Sequence, residues 1–170
     1  FNSEMGAIAF GIVLSLHSIL MIIAGACGGA ANNSRMVTQF KFTPSNGDYN
    51  FTLFIMGIAS MIAGTIYILV AVPITIPPIA ILFYALLMFF MLLRNYAEVE
   101  FRLKINFKRY FIYYFLISAG YCLGLFIYDV IGQWAFAFLV GEILAIGYVI
   151  WKGHIFTRPI WDRTQYTTAV

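Results

Sequence analysis

Charge is what this sequence has least of: only 10% of its 170 residues are Asp, Glu, Lys or Arg, against 62% hydrophobic and 18% aromatic. A soluble globule of this length cannot bury so much apolar surface. Lipid must cover much of it. Cysteine is scarce too. Cys27 and Cys122 both fall inside apolar runs, without paired spacing and without a neighbouring histidine. That excludes a zinc knuckle and a disulfide framework and leaves them as packing residues. The sequence also lacks a Gly-rich phosphate loop, a Ser or Cys nucleophile matched to a His and an acid, a metal-binding cluster and a carboxylate pair at depth. No catalytic residue, metal or cofactor is therefore expected, and the chain reads as a non-enzyme.

What is present is five apolar runs, at about 7–31, 51–72, 77–93, 110–128 and 132–151. Each is near the roughly 20 residues with which a helix spans hydrocarbon. Only a closed backbone hydrogen-bond set survives in lipid, so the runs are expected to be helices despite their Ile, Val and Phe content. The fold class expected is an all-α integral membrane bundle with five transmembrane helices.

All ten basic residues fall into three stretches. Arg35 and Lys41 follow the first run, five more (Arg94, Arg102, Lys104, Lys108 and Arg109) follow the third, and Lys152, Arg158 and Arg163 follow the fifth. If each run crosses once, all three stretches lie on one side. Lysine and arginine are retained on the cytoplasmic side. The expected topology starts outside and ends in the cytoplasm, in a multi-pass protein of the cytoplasmic membrane. The net charge of +3 is read as attraction to anionic lipid and control of topology, not as a nucleic-acid surface.

The connections on the other side carry no basic residue: Pro73-Ile74-Thr75-Ile76 after the second run and Asp129-Val130-Ile131 after the fourth. Pro73, Pro77 and Pro78 are expected to end one helix and begin the next, since proline lacks an amide donor and suits a first turn. A longer cytoplasmic loop is expected from Asn32 to Asn50, with Thr43-Pro44-Ser45-Asn46-Gly47-Asp48 as its turn. Asn32-Asn33-Ser34 and Asn50-Phe51-Thr52 match the glycosylation pattern but fall on the cytoplasmic side, so they are chance matches. Val99 to Phe107 alternates with the period of a strand. Glu98 with Arg102 and Glu100 with Lys104 are instead favourable i, i+4 helix pairs. Helix three is expected to continue into the cytoplasm and turn near Asn106.

Small residues recur at packing spacing: Gly25 and Gly29, Ser60 and Gly64, Gly120 and Gly124, and Ala137, Gly141 and Ala145. They predict close helix approach within one bundle. Three residues are candidates for a substrate path. Glu142 is the carboxylate midway along the fifth run, where a charge costs about 2.5–3.5 kcal/mol. It is either a proton, cation or path-lining group, or a carboxyl held by a neighbouring helix. His17, between Ser15 and Ser18 in the first run, is the other ionisable group at depth. It reads as a hydrogen-bonded neutral imidazole or a polar lining position. Arg35 sits at the expected helix mouth, as a positive-inside anchor or a phosphate ligand.

The segment from Phe83 to Ile150 resembles the fourth to sixth transmembrane helices of bacterial polysaccharide flippases of the Wzx type, in the multidrug/oligosaccharidyl-lipid/polysaccharide exporter superfamily. The residues that carry the resemblance are Leu92-Leu93-Arg94-Asn95-Tyr96 leading into Val99 to Tyr110, Ile131-Gly132-Gln133-Trp134-Ala135-Phe136 after a glycine-bearing helix, and Arg158-Pro159. Met5-Gly6-Ala7-Ile8-Ala9-Phe10-Gly11 is similar to the opening of the family's second helix. The resemblance implies helices two to six of a transporter of roughly 12 to 14, built from two lobes that rock around a central cavity. It implies as substrate and partner a polyprenyl-diphosphate-linked oligosaccharide, with H+ or Na+ as coupling ion, and contact with the glycan polymerisation machinery. In that frame Arg35 would meet diphosphate, and His17 and Glu142 would meet sugar hydroxyls or the ion. Other cargo within the superfamily, a drug or a peptidoglycan precursor, and a small non-catalytic subunit of a glycan-synthesis complex are the alternatives. The opening at Phe1 without an initiator Met makes a piece of a longer chain the expectation.

Overall fold

The computed structural model describes residues 3–38, 46–72, 76–103 and 106–153. They form α1 (Ser3–Thr38), α2 (Asn46–Ala71), α3 (Pro78–Leu103), α4 (Phe107–Ile131) and α5 (Trp134–Gly153), with no strand among the described residues. Each helix contains a span long and apolar enough to cross a membrane. By length and composition this is a multi-pass membrane protein.

Helices outrun apolar runs, because a charged or amide side chain lowers hydropathy without interrupting the i to i−4 backbone bonds. α1 continues through Asn32 and Arg35 to Thr38, and α2 begins at Asn46. The expected loop from Asn32 to Asn50 is therefore shorter, and both glycosylation patterns lie in helix. Asn50 is itself buried. Thr43-Pro44-Ser45 and Pro73-Ile74-Thr75 lie outside the described residues. Pro78 is the first residue of α3, and the Pro77 carbonyl accepts from Ala80 N at 2.9 Å, as proline chemistry predicts.

The strand-like stretch after Val99 is helical to Leu103, because a lone strand would leave its backbone unbonded. Asn106 then caps α4: its side chain accepts from the Arg109 amide at 3.2 Å. Asp129-Val130-Ile131 forms the last turn of α4 and not a connection. The reversal is made by Gly132, whose φ of 70° is the left-handed cap that glycine takes without strain, its N–H donating to the Tyr128 carbonyl at 2.7 Å.

α3 is the central helix, touching all four others. In α3 and α5 44% of the span is buried, against 22–28% in α1, α2 and α4, so the latter three present most of their surface outward. α4 and α5 form the tightest pair. A Cβ at Gly120 would overlap the Gly141 backbone, and one at Gly124 would overlap the Ala137 carbonyl. The small-residue spacing thus works there as expected, by letting backbones approach. On α2, Gly57 meets the Phe89 ring, Gly64 meets Met88 and Leu20, and Ser60 between them is fully buried. Gly25 and Gly29 differ, since a Cβ at either would meet nothing within 4 Å.

Two apolar clusters fill the bundle. One contains Leu16, Leu20, Met91 and Leu139, and the other contains Tyr96, Ala97, Tyr113 and Ala145. Along α3 the change from one to the other falls between Met91 and Ala97, and along α5 between Leu139 and Ala145. The residues midway in those two gaps are Arg94 and Glu142.

Candidate functional site

Arg94 and Glu142 form an ion pair at that junction. Arg94 Nη1 lies 2.8 Å from Glu142 Oε1, with side-chain exposures of 11% and 0%. Tyr121, from α4, donates its hydroxyl to the same Oε1 at 2.6 Å and stands 3.4 Å from Arg94 Nη1. Three helices therefore contribute one group each. The packing explains the geometry: Gly120 and Gly141 bring α4 against α5, and the neighbouring Tyr121 and Glu142 are drawn into contact. Tyr113, also on α4, donates to the Arg94 carbonyl at 3.3 Å and holds the α3 backbone at the same level.

The pair is asymmetric. Oε1 takes both donors, whereas Oε2 and Arg94 Nε are buried without a hydrogen-bond partner. A bidentate arginine–carboxylate pair would have used both oxygens. The carboxylate keeps one acceptor able to take a proton or a further donor, beside a cation that can be released if it does. A buried ion pair adds little net stability compared with apolar residues of the same volume. Inside a membrane span it marks a functional position.

The three sequence candidates are placed as follows. Glu142 is fully buried and held by neighbouring helices through Arg94 and Tyr121. His17, on α1, stacks on Phe138 of α5 with ring centroids 4.1 Å apart and a 25° interplanar angle. Phe138 meets the Tyr121 ring edge-on at 5.5 Å. His17 and Glu142 are thus joined through Phe138 and Tyr121, although α1 and α5 are otherwise barely in contact. The His17 Nδ1 is buried without a hydrogen-bond partner, unlike the hydrogen-bonded imidazole that was one expectation.

Arg35 belongs elsewhere. It lies within α1, 5% exposed, with its guanidinium 4.8 Å from the Tyr96 ring and 5.8 Å from the Tyr49 ring. It sits between helices and not at a helix mouth.

Arg94 is the residue that sequence reasoning missed, and with it goes the expectation that His17 was the only ionisable partner of Glu142 at depth. Hydropathy ended the third run at Leu93 because Arg94 is charged. The legible signal was charge balance, since a buried carboxylate calls for a cation on a facing helix.

Two further features border the pair. Next to Arg94, on the α1 side, a cavity of about 250 Å³ is lined by Gly25, Gly29, Asn32, Asn95, Glu98 and Val99. Asn32 donates to the Asn95 carbonyl at 3.1 Å, and Glu98 accepts from the Tyr114 hydroxyl. At one end of the bundle, Arg109 donates to the Lys152 carbonyl at 3.2 Å and the Lys152 ammonium lies 3.8 Å from the Trp151 ring. Among the described residues no group of His, Cys, Asp and Glu is arranged to hold a metal ion. No family model, curated protein or solved structure matches the chain.

Proposed function

We propose that this chain is a lobe of a membrane transporter that moves a polyprenyl-diphosphate-linked oligosaccharide across the bacterial cytoplasmic membrane, with the start of α1 outside and the end of α5 in the cytoplasm. The observation that carries the reading is the Arg94–Glu142 pair, completed by Tyr121, buried inside a five-helix membrane bundle. A purely structural bundle has no use for it, because desolvating two charges offsets their attraction. A transporter does: a charged pair that exchanges partners gives a lobe two packings close in energy, and rocking between them opens the cavity to one side and then the other. The resemblance to polysaccharide flippases supplies the cargo, and the basic residues at one end of the described helices, Lys108, Arg109 and Lys152, agree with the cytoplasmic placement of that end. H+ or Na+ is the coupling ion in this reading, with the free Glu142 oxygen as the group that senses it.

The test is reconstitution of the full-length protein in liposomes carrying a fluorescent lipid-linked oligosaccharide, with an impermeant quencher reading transfer between leaflets. Wild-type protein accelerates transfer over empty liposomes, and Arg94→Ala and Glu142→Gln each slow it by roughly tenfold or more, a barrier change of about 1.4 kcal/mol. Transfer no faster than in empty liposomes overturns the reading.

A further inference from the structure

The cavity between α1 and α3 has features that the ion pair does not explain. Its α1 wall is Gly25 and Gly29, one turn apart, and a Cβ at either would meet nothing. These glycines are therefore not there to let helices touch. They leave open space beside polar groups. Gly28, between them in sequence, does pack, lying against Asn95 with 3.4 Å between its notional Cβ and the Asn95 Cβ. α1 is thus held against α3 on one side of this stretch and stands away from it on the other. The Asn32 amide is fixed by its bond to the Asn95 carbonyl, yet its Oδ1 is out of solvent and has no donor. An acceptor in that state lacks one hydrogen bond that a ligand can supply. Glu98, a turn from Asn95 and held by the Tyr114 hydroxyl, adds a second acceptor.

We infer that this cavity is a saccharide subsite, in which Asn32, Asn95 and Glu98 hydrogen-bond the hydroxyls of one sugar ring seated against Gly25 and Gly29. The inference rests on the transport reading for where such a ring comes from, and on the cavity alone for its chemistry. Size argues for a single ring. At about 250 Å³ the space falls just below the roughly 300–1,000 Å³ of sites for drug-sized ligands. It is far roomier than the cage of a dehydrated cation, whose oxygen ligands close to about 2.3–2.6 Å. Charge argues against an anion, because the lining contains the Glu98 carboxylate and no Lys, Arg or His. Hydrogen bonding argues for hydroxyls, each of which donates and accepts, as amide and carboxylate groups side by side require. The ring could belong to free oligosaccharide or to the lipid-linked form, and the chemistry is the same for both.

The experiment uses the full-length protein in lipid nanodiscs and three probes: lipid-linked oligosaccharide extracted from the source membranes, the oligosaccharide released from it by mild acid, and sugar-free polyprenyl diphosphate. The decisive variant is Gly25→Val with Gly29→Val, which fills the cavity where a Cβ has room. Asn32→Ala is the polar counterpart. Each weakens the binding of the lipid-linked oligosaccharide at least roughly tenfold, leaves the binding of polyprenyl diphosphate as in wild type and leaves the melting temperature of the protein near its wild-type value. Competition by the released oligosaccharide shows that the sugar alone is recognised, and its absence together with the tenfold loss shows that the lipid-linked form is required. Wild-type affinity for the lipid-linked oligosaccharide in the filled variant overturns the inference even if wild-type protein transports. Sugar binding that is lost on filling, in a protein that does not transport, overturns the transport reading and leaves the subsite standing.

Discussion

Arg94 and Glu142 show how one pair can weaken a bundle when broken and yet add little when intact. Removing only the cation leaves a fully buried carboxylate, and Arg94→Ala should cost about 3–5 kcal/mol of stability. Replacing both, as Arg94→Met with Glu142→Met, should leave the melting temperature near that of wild type while transport is lost. Thermal unfolding in detergent beside the liposome assay checks both statements. A double variant that still transports would remove the pair from the mechanism. Tyr121→Phe deletes one donor to a shared oxygen and should cost less than Arg94→Ala, because Arg94 still holds Oε1. Glu142 and His17 were legible as candidates because ionisable groups inside apolar runs stand out. Their meeting through Phe138 was not legible, since one phenylalanine among 17 gives no sign of which ring it stacks on.

At the scale of elements, the same small-residue spacing has opposite consequences on different helices. Gly120 and Gly124 sit under the backbone of α5, so Gly124→Val should separate the pair and lower the melting temperature substantially. Gly25→Ala meets nothing, and because alanine is the better helix former by about 1 kcal/mol it should hold or raise the melting temperature. Comparing the two melting temperatures tests the packing directly, and equal losses would contradict it. Two end signals were readable from residue type: Pro78 opening α3, and a turn near Asn106 ahead of α4. Gly132 is a third of this kind, although the connection was expected one residue too early. Gly132→Ala must hold a left-handed φ and should cost about 1–2 kcal/mol, which thermal unfolding will register.

For the whole molecule, the pattern of basic and aromatic residues makes a topological prediction. Tyr128 stacks on Trp134 at 4.1 Å at the turn between α4 and α5, and Trp151 is 69% exposed at the opposite end of α5, so amphipathic rings mark both ends of that helix as interfacial anchors require. With Cys27 and Cys122 replaced by alanine, a cysteine at Gln133 should react with an impermeant maleimide added outside intact cells, and one at Lys108 only after permeabilisation. The reverse pattern would invert the proposed orientation. Exposed apolar side chains on α1, α2 and α4, such as Ile22, Ile62, Leu69 and Phe115, are where lipid is expected to lie.

Composition and hydropathy by themselves determined the class of the molecule, the number of crossings and the helical state of each. In lipid the backbone must bond to itself, and that rule outweighs the propensities of individual residues. Proline and asparagine also marked two helix starts from local chemistry. Tertiary structure decided the rest. Whether a cation near a run's end faces water or a carboxylate, as with Arg94, and whether a glycine meets a backbone or an open cavity, as with Gly124 and Gly25, depend on which helix lies opposite. That choice is made by packing between segments far apart in the chain, and no single helix carries it.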